Sequence, residues 1–145
     1  VFWVACYEIE TQKRTWYNLK KNEWSVHFNI SPDQTLYCGD GGVPRSVAAP
    51  DNGKWIYLFR PHVIPPVVGG ASDPNTLIRS GYFESEKLVN LASHNYSLEP
   101  NCQFTPDGKW IVFRSNMFGE THIYKVEVAK ATDAEKAEIK SEGND

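Results

Sequence analysis

An internal repeat constrains this chain more than any other feature. His27-Phe28-Asn29-Ile30-Ser31-Pro32-Asp33 runs into Gln34-Thr35-Leu36-Tyr37-Cys38. Asn101-Cys102-Gln103-Phe104-Thr105-Pro106-Asp107 runs into Gly108-Lys109-Trp110-Ile111-Val112-Phe113. Each copy reads as a strand, a Ser/Thr-Pro-Asp turn and a second strand. Proline presets φ for the turn, and aspartate bonds the backbone two residues on. The β-branched and aromatic residues on either side favour strands. A third copy of the turn chemistry, Pro50-Asp51-Asn52-Gly53, leads into Lys54-Trp55-Ile56-Tyr57.

Pro32 and Pro106 lie 74 positions apart. A propeller blade takes roughly 40–50 residues, so two insertions account for the excess. One spans 41–53. The other spans 61–74 and holds Pro61, Pro65, Pro66, Gly69, Gly70 and Pro74; long loops of this kind often carry function. The spacing predicts a four-stranded blade from 24–30, 36–39, 55–60 and 82–91, the last with a bend near Ser85. The next blade has strands at 101–104, 110–115 and 122–128 and lacks a fourth. Residues 2–9 and 15–19 read as the last two strands of a preceding blade. The expected fold is therefore all-β: an incomplete β-propeller of about two and a half four-stranded blades. It occupies residues 1–130, and residues 131–145 form a charged tail, a short helix or disordered. Radial repeats need closure, so the remaining blades are expected from the same protein or another chain. The opening Val1-Phe2-Trp3-Val4-Ala5 already reads as mid-strand.

Composition narrows the function classes. Apolar residues make up 41% of the chain, enough for a core. The net charge of −3 has both signs mixed and no basic stripe, which argues against a nucleic-acid partner. No run of eighteen apolar residues is present, so no membrane partner is expected. Cys6, Cys38 and Cys102 are odd in number and widely spaced, and read as small buried thiols. Trp55 and Trp110 hold matching strand positions and read as core.

The repeat also aligns polar residues. His27 and Asn101 each stand five positions before the proline of their copy. They would occupy the same place on successive innermost strands and share one end of a central channel. With Glu99 they form a polar set of the kind a funnel site needs. The plainer reading of His27 is a buried strand histidine with satisfied hydrogen bonds. Arg60 and Arg114 each end a Trp-Ile strand with Phe-Arg, and suit either carboxylate recognition or a surface salt bridge. His62 begins the Pro-rich loop, and His94 lies in the loop entering the second copy. The glycines of Gly39-Asp40-Gly41-Gly42 read as a tight turn.

Several stretches together resemble the oligogalacturonate lyase family of polysaccharide lyases. These are Trp24-Ser25-Val26-His27-Phe28-Asn29, Cys38-Gly39-Asp40-Gly41-Gly42, Trp55-Ile56-Tyr57-Leu58-Phe59-Arg60-Pro61, Leu98-Glu99-Pro100-Asn101 and Phe113-Arg114-Ser115-Asn116-Met117. The resemblance spans nearly the whole chain, as the C-terminal portion of the family's fold. It implies a seven-bladed propeller and a carbon–oxygen lyase that cleaves uronate oligosaccharides by metal-assisted β-elimination. The substrate class would be galacturonate oligomers of the kind found in pectin. It implies a divalent metal, Mn²⁺ or alternatively Ca²⁺, on the innermost strands. His27 matches the first of three ligand histidines; Glu99 and Asn101 stand where a His-x-His pair is usual, so the metal set read here is His27, Glu99 and Asn101. The family's glutamine ligand falls near Tyr96. His94, Tyr96, Arg60, His62 and Arg114 are the candidate substrate contacts. The catalytic base would lie in upstream blades, and glycan degradation points to the periplasm or secretion. The alternative is a non-catalytic propeller that binds glycans or proteins.

Overall fold

A computed structural model of the chain describes residues 2–45, 53–65 and 77–130. Among these residues there are nine strands and no helix. In chain order they are β1 (Phe2–Tyr7), β2 (Arg14–Leu19), β3 (Phe28–Ile30), β4 (Tyr37–Gly39), β5 (Trp55–Val63), β6 (Ile78–Asn90), β7 (Gln103–Phe104), β8 (Trp110–Phe118) and β9 (Glu120–Glu127). They form a six-stranded mixed sheet ordered β1-β2-β6-β5-β4-β3 and a three-stranded sheet ordered β7-β8-β9. The tail 131–145, the turn residues 50–52 and most of the Pro-rich loop lie outside the described residues.

The repeat is visible in atomic detail. In the first copy Ser31 Oγ donates to Asp33 Oδ1 (2.6 Å) and accepts from the Leu36 amide (2.9 Å), while Gln34 sits at φ 62°. In the second, Thr105 Oγ1 donates to Asp107 Oδ1 (2.5 Å) and accepts from the Trp110 amide (3.2 Å), and Gly108 sits at φ 70°. Each aspartate also accepts from the amide two residues on, Thr35 and Lys109, both at 3.1 Å. The same three hydrogen bonds close the same turn twice.

β3, β4, β5 and β6 pair antiparallel in sequence order, as the spacing predicts. β5 is the central strand because both its faces are apolar. Ile56 and Leu58 pack with Cys38, Leu91, Tyr96, Cys102, Ile111 and Phe113 between the two sheets. Tyr57 and Phe59 point the other way and pack with Tyr17, Leu19, Tyr37 and Phe83. This is the period-two alternation of a strand buried on both sides. A fully buried apolar side chain contributes about 1.5–3 kcal/mol, so these two layers outweigh any single polar contact.

Three details differ from expectation. Residues 2–19 do not stand as a separate sheet: β2 runs parallel to β6, pairing Arg14 with Ile78 through Asn18 with Tyr82. Gly81 permits that seam, since a Cβ there would meet His62 O at 2.6 Å and the Tyr17 ring at 2.7 Å. Second, β5 continues through Pro61 to Val63. β4 leaves it at Phe59, so beyond that point no neighbour on that side asks for the amide that proline lacks. Third, β6 is unbroken at Ser85; the register shift lies where Ile56 and Tyr57 face Val89 and Lys87. Cys38 and Cys102 are buried, but Cys6 is only half-buried. Trp110 is not core either; it is half-buried and carries Lys125 Nζ 3.9 Å from its ring centre.

Candidate functional site

β3 and β7 lie side by side: the Phe104 amide donates to Asn29 Oδ1 at 3.0 Å. The residues just ahead of these strands therefore meet, and they meet on Asp40. The His27 amide donates to Asp40 Oδ1 (2.9 Å) and the Asn101 amide donates to Oδ2 (3.0 Å). The two repeat-equivalent positions hang from one carboxylate. His27 Nδ1 lies 2.8 Å from the same Oδ2. A carboxylate only accepts, so Nδ1 carries a proton and Nε2 is the nitrogen turned to the open side.

Asp40 has no exposed surface. Burial pushes its carboxyl above the usual range, against the pull of the His27 and Asn101 bonds. Its carbonyl accepts the Tyr96 hydroxyl at 2.9 Å, which fixes the residue from its other end. Nothing in the spacing singles Asp40 out, because glycines flank it and His27 is thirteen positions away. The one available signal was a charged residue inside a glycine turn that follows an apolar strand.

On the open side, Glu99 Oε2 lies 3.6 Å from His27 Nε2. The His27 side chain is 34% exposed and that of Glu99 50%, so this is a wet rim and not a dry apolar layer. Asn101 adopts φ 52°, a left-handed conformation that asparagine tolerates better than most residues. Arg114 secures the same segment: its Nε donates to Glu99 O (2.7 Å) and its amide to Pro100 O (3.0 Å). Asn101, Gln103 and Arg114 also line a shallow cavity of about 260 Å³.

His27, Glu99, Asn101 and Arg114 are thus brought together. The other candidates lie elsewhere or are occupied. Arg60 pairs with Glu86 across β5 and β6 (3.1 Å), and Lys130 approaches the same carboxylate at 3.7 Å. His62 pairs with Glu84 (3.0 Å) and stacks on Tyr82. His94 is buried; its Nε2 donates to Leu98 O (2.6 Å), and its Nδ1 accepts from Ser115 Oγ (2.8 Å). Burial lowers its pKa, so it is held neutral. Tyr96 is buried against Asp40, with its hydroxyl pKa raised by that burial.

Among the described residues no group of three or more His, Cys, Asp and Glu side chains is arranged to hold a metal ion. Two donors face each other, His27 Nε2 and Glu99 Oε2; the Asn101 side chain reaches Glu99 O with its Nδ2 at 3.5 Å. Neighbouring corners of an octahedral site with donors at about 2.1 Å stand about 3.0 Å apart, so the 3.6 Å between His27 Nε2 and Glu99 Oε2 would have to close up around an ion of the Mn²⁺ class. Mixed imidazole and oxygen donors suit Mn²⁺ better than a thiolate-seeking ion. His27 and Glu99 supply only part of the set such a cation needs. No protein-family model matches the chain, no curated protein matches it, and no solved structure matches it.

Proposed function

We propose that this chain is part of a β-propeller lyase that cleaves galacturonate-type oligosaccharides by β-elimination. On this reading β3–β6 is one blade and β7–β9 is the next, lacking its fourth strand, and the site lies where their first strands meet. The observation that carries the reading is the convergence of His27 and Asn101 on Asp40, beside Glu99 and Arg114. It places an oriented imidazole, a carboxylate, an amide and a guanidinium on one exposed rim.

His27 Nε2, Glu99 and the Asn101 amide oxygen would hold a divalent cation of the Mn²⁺ class. When bound, such an ion neutralises charge that spreads into the substrate carboxylate as the C5 proton leaves. Asp40 keeps His27 in the tautomer that presents Nε2, as a carboxylate behind a ligating histidine does. Arg114 has its Nε committed to Glu99 O, which leaves its terminal nitrogens for a uronate carboxylate. A base outside this cluster takes the C5 proton. The electron pair forms the ring double bond, and the glycosidic oxygen leaves.

The test is an assay of the full-length protein on oligogalacturonate, following the absorbance of the unsaturated product. Activity should appear with Mn²⁺, fall with chelator and be lost in His27→Ala. No absorbance gain on any uronate polymer would remove the lyase reading and leave a propeller that only binds.

A further inference from the structure

Two of the three cysteines meet between the sheets. Cys38 is the middle residue of β4, and Cys102 stands immediately ahead of β7. Two hydrogen bonds bracket them. Asp40, two residues after Cys38, accepts the amide of Asn101, the residue before Cys102 (3.0 Å). Asn29, directly opposite Cys38 in the β3–β4 pair, accepts the amide of Phe104, two residues after Cys102 (3.0 Å). Both side chains belong to the core layer that lies between the two sheets. Within it the Cys102 thiol hydrogen-bonds the Cys38 sulfur. Cys6 is no rival, because it packs against the other core layer, beside Tyr17 and Tyr37.

The place matters for how the molecule is held together. Among the described residues no strand ladder joins the three-stranded sheet to the six-stranded one. Packing and a few hydrogen bonds such as those on Asp40 and Asn29 hold them. A disulfide needs its sulfurs drawn to about 2.05 Å, with Cα atoms about 4.4–6.8 Å apart, and sulfurs already in hydrogen-bond contact are the starting point for that geometry.

We infer that Cys38 and Cys102 are a redox pair, a dithiol that closes to a disulfide and ties the two sheets together covalently. The oxidant is a small disulfide of the glutathione class. One cysteine gives up its proton, and its sulfur attacks the small disulfide; a mixed disulfide forms and one small thiolate leaves. The second cysteine, deprotonated in turn, attacks the protein sulfur of the mixed disulfide and expels the second small thiolate. The two thiolates take up the two protons, so two electrons pass from the protein to the small molecule. In the closed fold Cys38 is 0% and Cys102 2% exposed. Exchange therefore runs through an opening of the contact between the sheets, and the bond once made is shielded from reductants. The pair stands whether or not the protein is a lyase.

The test is incubation of the full-length protein with glutathione disulfide, with and without urea below the unfolding midpoint, then alkylation, non-reducing digestion and mass spectrometry. Peptides joined through Cys38 and Cys102 should appear, faster in urea, and should separate on treatment with dithiothreitol. The oxidised protein should melt higher than the reduced one by roughly 5 °C or more, since the bond closes a long loop. Cys6→Ser should keep that rise, and Cys38→Ala and Cys102→Ala should lose it. The joined peptides are read in the parent protein, which keeps the test sharp if an alanine variant fails to fold. No joined pair, Cys38 or Cys102 joined instead to any other cysteine, or an oxidised protein that melts no higher than the reduced one would overturn the inference.

Discussion

Removing a carboxylate from water costs several kcal/mol unless its oxygens are filled. Asp40 fills them with the His27 amide, the His27 imidazole and the Asn101 amide. Asn at this position would keep one acceptor but turn an NH₂ group toward the donors that Oδ2 now serves. Asp40→Asn should therefore destabilise the fold by about 1–3 kcal/mol, measured by urea unfolding. It should also shift the His27 imidazole signals in NMR, as Nδ1 loses its acceptor. A variant as stable as the parent would show that the carboxylate does not tie the repeats together. His27 and Asn101 were legible in the sequence because the repeat places them in register; Glu99 was read as their polar neighbour and Arg114 from the end of its Trp-Ile strand. Asp40 was not, because its role exists only when the residue after β4 meets the segments that lead into β3 and β7. The partners of Arg60 and His62 were equally hidden: Glu86 and Glu84 each stand diagonally across the β5–β6 pair, two positions beyond the residue directly opposite, which spacing along the chain does not reveal.

The paired turns let one conformational term be compared at two residues of different type. Gln34 and Gly108 hold equivalent places, at φ 62° and 70°. A left-handed conformation costs a non-glycine residue about 1–2 kcal/mol, and glycine in place of another residue costs about 0.5–1 kcal/mol in chain entropy. The first term is the larger. Gln34→Gly should raise stability by up to about 1 kcal/mol, and Gly108→Ala should lower it by a similar amount. Thermal unfolding of the two variants checks both signs, and a loss in Gln34→Gly would mean its side chain contributes more than the strain it carries. The Ser/Thr-Pro-Asp signature gave these turns away, since each atom of the motif is local. Strand extents were less readable. β5 outruns its expected end because the fitness of Pro61 depends on where β4 stops. β6 runs straight past Ser85, whose hydroxyl bonds Glu23 from sixty-two positions away.

For the whole molecule, the all-β class and the β3–β6 order followed from the repeat, but the place of the first hairpin did not. β1 and β2 have good local strand patterns, and nothing local specifies a parallel neighbour. That neighbour is β6, and its partners lie sixty-four positions apart in sequence. Within β5–β6 the separation is far smaller, from thirty-five at Trp55–Asn90 down to eighteen at Val63–Gly81. Distant pairings carry a larger loop-closure cost and form late. Pulse-labelled amide exchange during refolding should show β5 and β6 protected before the β2 amides that face Ile78–Tyr82. Simultaneous protection would argue against this order. The seam between β2 and β6 makes the β1–β2 hairpin wait for a strand synthesised long after it. While the ribosome is still producing β3 to β5, that hairpin has no docking edge and keeps Tyr17 and Leu19, buried in the finished fold, in solvent, which makes this interval the one in which a chaperone has most to hold.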